Sequence, residues 1–207
     1  MSNSKIRVPQ QDRSKESKNS IIEAGLQLFS EKGYYKTNSK EIAKRAGVSI
    51  GSFYMYFADK KALFMEVVEL YNQKICDVLN DIENPGNGSI NDGKTFLNYL
   101  ITKLIEAHEV YPQLHQELTV MSASDPDIAT LYNNARVEAI SLAKKFLSSR
   151  IDNLRISDIE TISVLIQTTL EEIVHIIVFS DVTISKEKLI DETTDMLYRY
   201  LYKDEKL

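Results

Sequence analysis

The stretch 33–63, GYYKTNSKEIAKRAGVSIGSFYMYFADKKAL, constrains the fold more than any other part of the chain, because its polar and glycine residues fix where helices begin and end. Asn38 followed three residues later by Glu41 is a capping box. The Asn side chain takes an amide that the helix cannot satisfy itself, and the Glu reaches back to the cap residue's N–H. A helix is therefore expected from near Ser39, with Ile42, Ala43 and Ala46 inward. Gly47 stands where helices commonly close in the left-handed conformation, which costs glycine no Cβ clash. Val48 plugs the corner, Ser49 caps the next helix, and Phe53 and Phe57 at i, i+4 give that helix one buried face. The opposite face, Ile50, Gly51, Ser52, Tyr54 and Met55, is left free. It is small at its N-terminal end, as a helix must be to approach base edges closely.

The same string resembles the DNA-binding domain of the TetR (tetracycline-repressor) family of bacterial transcriptional regulators. The family's order of motifs stands here as Gly33-Tyr34, Thr37-Asn38, Ile42-Ala43, Ala46-Gly47-Val48-Ser49, Gly51-Ser52, Phe53-Tyr54, Tyr56-Phe57 and Lys60. The motifs cover the N-terminal third, while the rest is similar to the family in length and all-helical pattern. The resemblance implies an all-α chain, with an N-terminal three-helix helix-turn-helix domain followed by a larger helical bundle for ligand binding and dimerisation. By position in the motif, Thr37, Asn38, Lys40, Ser49, Tyr56 and Lys60 are expected on the phosphate backbone, which fixes register. Ile50, Gly51, Ser52, Tyr54 and Met55 are expected on base edges, which carry sequence information. Residues 50–57 contain no Arg, Lys, Asn or Gln, so polar readout is sparse and A·T-containing half-sites, with their thymine methyl groups, are expected.

Charge separates the two parts. Residues 1–62 hold 12 Lys+Arg against 6 Asp+Glu, and residues 63–207 hold 13 against 24. A basic head suits a phosphate backbone and an acidic body avoids it, so the overall net charge of −5 does not argue against DNA binding. Cys76 is the single cysteine, which excludes an internal disulfide and fits a reducing compartment. The opening MSNSKIRVPQ lacks the apolar run of a signal peptide. The most apolar stretch, around Ile159 to Phe179, is broken by Gln167, Glu171, Glu172 and His175, so no membrane span and a cytoplasmic location are expected.

Along the chain, residues 1–13 read as a flexible basic arm, 14–62 as the helix-turn-helix domain and 63–207 as the ligand-binding and dimerisation domain. Asp59 caps a helix running to about Leu79, and Asn84-Pro85-Gly86-Asn87-Gly88 breaks the chain. Helices are expected over about 92–108, 111–123, 126–150, 158–180 and 186–203. Pro112 and Pro126 lie in first turns, and Ser157 with Glu160 forms a second capping box. The helix 158–180 is apolar nearly all round, which implies burial on more than one side. Paired with the last helix in two copies, it would make an intersubunit four-helix bundle, as the resemblance also implies, with Ile166 and Ile173 on its seam.

On that helix Ser163, Gln167, Glu171 and His175 recur every four residues. Such a polar stripe suits a small-molecule pocket walled by Phe96, Tyr99, Tyr111, Met121 and Tyr132, and equally a solvent-facing strip. Glu172 and His175 have the i, i+3 spacing of helical-bundle metal ligands but no second such pair, and His108 and His115, seven apart, read as a packed or surface pair. No metal or other cofactor is expected. No nucleophile elbow, Cys–His pairing or cofactor fingerprint supports an enzyme. The reading is a homodimeric repressor that leaves a palindromic double-stranded DNA operator when a small-molecule effector binds the body. The alternative is a helical-bundle small-molecule or metal-binding protein without specific DNA binding.

Overall fold

The computed structural model describes residues 10–83 and 92–203, and among these the chain is helical with no strand. The helices are α1 (Gln10–Lys32), α2 (Ser39–Arg45), α3 (Ile50–Tyr56), α4 (Lys60–Glu83), α5 (Gly93–Glu109), α6 (Pro112–Ser122), α7 (Pro126–Ser148), α8 (Ile159–Phe179) and α9 (Lys186–Leu201). A 3-10 turn, Ile151–Asn153, follows α7. The expected arm at 1–9 and the break at 84–91 lie outside the described residues. Residues 10–13, assigned to the arm above, belong to the first turns of α1.

Two compact units divide the chain, one ending at Leu70 and the other beginning at Tyr71. The division between the units falls inside α4, where an unbroken helical pattern carries no sequence signal. In the first unit Ile21, Leu28, Phe29, Ile42, Phe53, Leu63, Phe64 and Val67 are sealed from solvent. The Phe29 and Phe64 rings meet edge to face at 5.4 Å. Gly25 permits the close approach of α1 and α4, since a Cβ there would lie 2.9 Å from Leu63 Cδ2. Both helix-ending glycines take the left-handed conformation, Gly33 with φ 86° and Gly47 with φ 71°.

The second unit is a bundle in which α8 packs against α5, α6, α7 and α9. Its core joins Leu97, Ile101 and Ile105 of α5 to Ile162, Ile166, Leu170 and Val174 of α8 and to Ile190, Leu197 and Leu201 of α9. By length and composition α8 would pass for a membrane span, but its Ile162, Ile166, Leu170 and Val174 serve this core. Asp158, not Ser157, caps α8, accepting from the Thr161 amide at 3.1 Å, and the Glu160 side chain pairs with Lys144. The expected second capping box is thus not formed: Ser157 lies one residue before the cap, and the Glu160 carboxylate goes to Lys144. Ile166 is also corrected: it is 7 % exposed and sits in the core rather than on an outer seam.

Candidate functional site

The first unit presents α3 on caps that the sequence dictates. Asn38 Oδ1 accepts the Glu41 amide at 3.1 Å, and Glu41 spends its carboxylate on Lys32 rather than on the cap residue. Ser49 Oγ accepts the Ser52 amide at 2.9 Å and meets the Ser52 hydroxyl at 2.9 Å. With Phe53 and Phe57 buried, the outward face of α3 carries Ile50, Gly51, Tyr54 and Met55, the last 80 % exposed. Asp59 Oδ1 caps α4 through the Ala62 amide at 2.8 Å. Asn38, Lys40 and Ser49 are exposed at helix starts, and Tyr56 is half-buried with its hydroxyl 3.2 Å from Ser14 Oγ.

Two of the expected phosphate contacts are spent inside the unit. Thr37 is 2 % exposed and donates its hydroxyl to the Gly33 carbonyl at 2.7 Å, so its side chain is turned away from any duplex. Lys60 lies over the Tyr34 ring and donates to the Tyr34 and Thr37 carbonyls at 2.6 and 2.9 Å, satisfying acceptors that the turn leaves over. The same turn exposes Tyr35 and Lys36, and Lys44 is exposed on α2. None of these three was singled out from the sequence, although the basic charge of the head is the signal that points to the two lysines.

The second unit encloses a cavity of about 190 Å³ whose lining includes Tyr71, Ile75 and Cys76 of α4, Phe96, Leu100, Leu104 and His108 of α5, and His115 and Leu118 of α6. Tyr132, Arg136 and Phe146 of α7 and Ile166, Gln167, Leu170, Glu171, Val174 and His175 of α8 complete most of the wall. Of the expected lining, Phe96, Tyr132, Gln167, Glu171 and His175 meet here. Ser163 does not: its hydroxyl donates to the Ile159 carbonyl one turn back at 2.6 Å. Tyr99 is exposed beneath Lys103, Tyr111 packs on Tyr71 and Lys74, and Met121 is buried outside the cavity wall. These four lie outside the lining: neither the period of four that picked out Ser163 nor a place on a neighbouring helix, as for Tyr99, Tyr111 and Met121, says which turn faces the cavity.

Two polar groups punctuate the apolar wall. Around Glu171, Tyr132 donates its hydroxyl to one carboxylate oxygen at 2.8 Å and Gln167 donates to the other at 2.6 Å, with Arg136 Nε 3.9 Å away. Burial, reinforced by the Glu171 carboxylate, holds the Tyr132 phenol well above its usual range, so it stays a donor. Beside this lies a cluster of imidazoles. His115 Nε2 is 2.9 Å from His175 Nε2, His115 Nδ1 is 3.1 Å from the Tyr71 hydroxyl, and His108 Nδ1 is 2.8 Å from the Leu104 carbonyl. Burial first, then the neighbouring imidazoles, pushes His115 down to about 3, and burial also lowers His108 and His175. All three are therefore neutral near pH 7. Burial likewise raises the Cys76 thiol to about 11, which keeps it protonated.

Residues 21–67 match the model of the bacterial regulatory proteins of the tetR family, and residues 94–201, more than half the chain, match the tetracyclin repressor-like C-terminal domain. Among curated relatives, the chain is 41 % identical over 63 residues to the HTH-type transcriptional regulator AcrR of Shigella flexneri, covering 30 % of this chain and 29 % of AcrR. It is 32 % identical over 107 residues to IcaR, the negative transcriptional regulator of the biofilm operon icaADBC of Staphylococcus aureus strain Newman, covering 49 % of this chain and 53 % of IcaR. Both matches span less than two thirds of the relative. The fold is shared with a transcriptional regulator from Saccharomonospora viridis solved in complex with choline, with a TM-score of 0.72 at 16 % identity over 91 % of this chain and 99 % of that one. The chain belongs to the TetR family of bacterial regulatory proteins.

Proposed function

We propose that the protein is a homodimeric, cytoplasmic repressor that binds a palindromic DNA operator through α3 and is released when a small molecule enters the cavity of the second unit. The observation that carries this reading is the outward face of α3, where Ile50, Gly51, Tyr54 and Met55 stand exposed on a helix whose other side is locked by Phe53 and Phe57. Thymine methyl groups suit Ile50 and Met55, and Tyr54 supplies one hydroxyl, so A·T-containing half-sites are its natural targets. Lys40, Lys36 and Lys44 are the exposed cations that would hold the backbone.

Dimerisation is supported by apolar side chains left at the surface of the second unit: Val164 and Leu165 on α8 and Met196 and Tyr200 on α9, each between 43 % and 51 % exposed. Two copies of this face would bury one another around a two-fold axis. The effector is an apolar molecule with a polar end directed at Glu171 and Gln167, and the relative solved with choline supports a small-molecule role for this kind of bundle. Release is a matter of linkage: the effector must favour a DNA-incompetent arrangement, and a coupling of roughly 1–3 kcal/mol changes operator affinity about 5- to 150-fold. α4 offers a route, since Leu63, Phe64 and Val67 belong to the first unit's core and Tyr71, Ile75 and Cys76 line the cavity. Selection of bound sites from random duplexes, followed by gel-shift titration, tests the reading. A purified protein with no preference among sequences defeats it.

A further inference from the structure

The chain has 3 histidines in all, and the fold brings every one of them to the same place. His108 comes from α5, His115 from α6 and His175 from α8, and one ring nitrogen of each lies within 4.8 Å of the other two. His115 and His175 meet nitrogen to nitrogen, unlike the usual buried histidine, which is satisfied by a carbonyl or carboxylate as His108 is. The Leu104 carbonyl can only accept, so His108 Nδ1 carries the ring's proton and its Nε2 bears a lone pair. Two neutral rings that meet Nε2 to Nε2 share one bridging proton, and moving it to the outer nitrogen of the ring that carries it frees both lone pairs without any net loss of a proton.

We propose that His108, His115 and His175 form a site for one divalent transition-metal ion of the Zn²⁺ class, with a fourth coordination position open to the cavity. Two imidazole nitrogens on a tetrahedral Zn²⁺, each about 2.0–2.1 Å from the metal, stand roughly 3.3 Å apart, so the 2.9 Å pair opens by a few tenths of an ångström and the widest pair, up to 4.8 Å, closes by about 1.5 Å. The outer nitrogens are already anchored as metal-bound histidines usually are: His108 on a backbone carbonyl and His115 on the Tyr71 hydroxyl. His108 and His115 are 8 % and 6 % exposed, and the flat stacking of His115 on Phe179 at 5.1 Å holds its ring plane. Glu171 and Glu172 add negative charge felt by His175, which favours a cation. An all-imidazole donor set selects Zn²⁺, Co²⁺, Ni²⁺ or Cu²⁺ over the oxygen-seeking Mg²⁺ and Ca²⁺. The ion would sit in the wall of the proposed effector cavity, so its regulatory meaning rests on that reading, whereas its binding does not.

The test uses tag-free, full-length protein stripped of metal and titrated with Co²⁺ and then Zn²⁺. One Co²⁺ per chain should give the visible absorption of a four-coordinate ion, displaced by Zn²⁺, and Zn²⁺ should shift the imidazole ¹⁵N resonances of all three rings. No other histidine exists to confuse either signal. His175→Ala should abolish the absorption and Cys76→Ser should retain it. Tyr71→Phe, which removes only the positioning hydroxyl, should weaken Zn²⁺ binding by roughly 10- to 100-fold while the three ¹⁵N shifts persist at saturation. Unshifted ¹⁵N resonances in the wild-type protein under excess Zn²⁺ would overturn the site even if histidine variants failed to fold, as would Co²⁺ absorption lost in Cys76→Ser and kept in His175→Ala. Metal binding that leaves operator affinity unchanged upholds the site and removes the ion as the releasing ligand. Release of DNA by an organic effector, with no metal bound under any condition, overturns the site and leaves the regulatory reading standing.

Discussion

The two units use polar side chains in opposite ways. In the first, Asn38, Ser49 and Asp59 each satisfy an amide three residues away, and Thr37 and Lys60 satisfy nearby carbonyls, so polar chemistry is spent on holding short helices in place. What remains outward on α3 is largely apolar and rigidly mounted. In the second, Glu171, Tyr132, Gln167 and the three histidines turn inward and satisfy one another across helices distant in sequence. A mounted outer surface reads a fixed partner by shape, whereas an inward network of partly buried groups has a local dielectric low enough to discriminate small ligands. A substitution in one unit should therefore leave the other's own binding intact, except where it breaks a shared dimer or the coupling through α4.

That exception carries the largest expected effect. Replacing Val164 and Leu165 together by Glu puts two charges on the exposed α8 face without touching the core, unlike Ile166, which lies inside it. The double variant should sediment as a folded monomer. Losing the second half-site contact should cost operator affinity on the order of 10²- to 10⁴-fold, the usual gain from linking two binding modules. A variant that remains a dimer in ultracentrifugation would move the interface elsewhere.

The contrast also explains what was legible beforehand. The head's elements are decided by contacts three or four residues apart, so the helix start at Ser39, the turn at Gly47 and the buried Phe53 and Phe57 could be read directly. For Thr37 and Lys60 the structure adds intramolecular partners that motif position does not reveal, since it says which face of the chain a residue occupies in relatives and not which neighbouring carbonyl its donor meets. In the body, helix boundaries were readable from Pro112, Pro126 and the apolar period, but the cavity was not. His108, His115 and His175 converge only through the packing of α5, α6 and α8, and a pair seven apart with a third far downstream carries no local signature. Arg136 was missed for the same reason, since its bond to Thr168 Oγ1 at 3.1 Å joins two helices.

Tyr54 sharpens the comparison from the head's side. It is 55 % exposed, with its ring edge-on to Phe53 at 5.3 Å, so truncation removes an outward contact without opening the core. Tyr54→Ala should cost roughly 1–3 kcal/mol on the preferred duplex and much less on a scrambled one, with the effector response unchanged. Equal losses on both duplexes would make Tyr54 a positioning residue and return base reading to Ile50 and Met55.

The smallest expected effect separates the two jobs that Asn38 is asked to do. As a cap it accepts the Glu41 amide, and as a phosphate contact it would donate its amide group outward from an exposed position. Asn38→Ala loses both and should lower stability by about 1 kcal/mol, since α2 has only seven residues over which to share the loss. Asn38→Asp splits them: a carboxylate caps as well as an amide and gains from the helix dipole, yet it donates nothing and repels a phosphate. The melting temperature of Asn38→Asp should match the wild type while its operator affinity falls, and the fall should be similar on specific and scrambled duplexes because phosphates carry no sequence. If Asn38→Asp binds operator as tightly as the wild type at low salt, Asn38 is a cap alone, and the backbone contacts of α2 belong to Lys40 and Lys44.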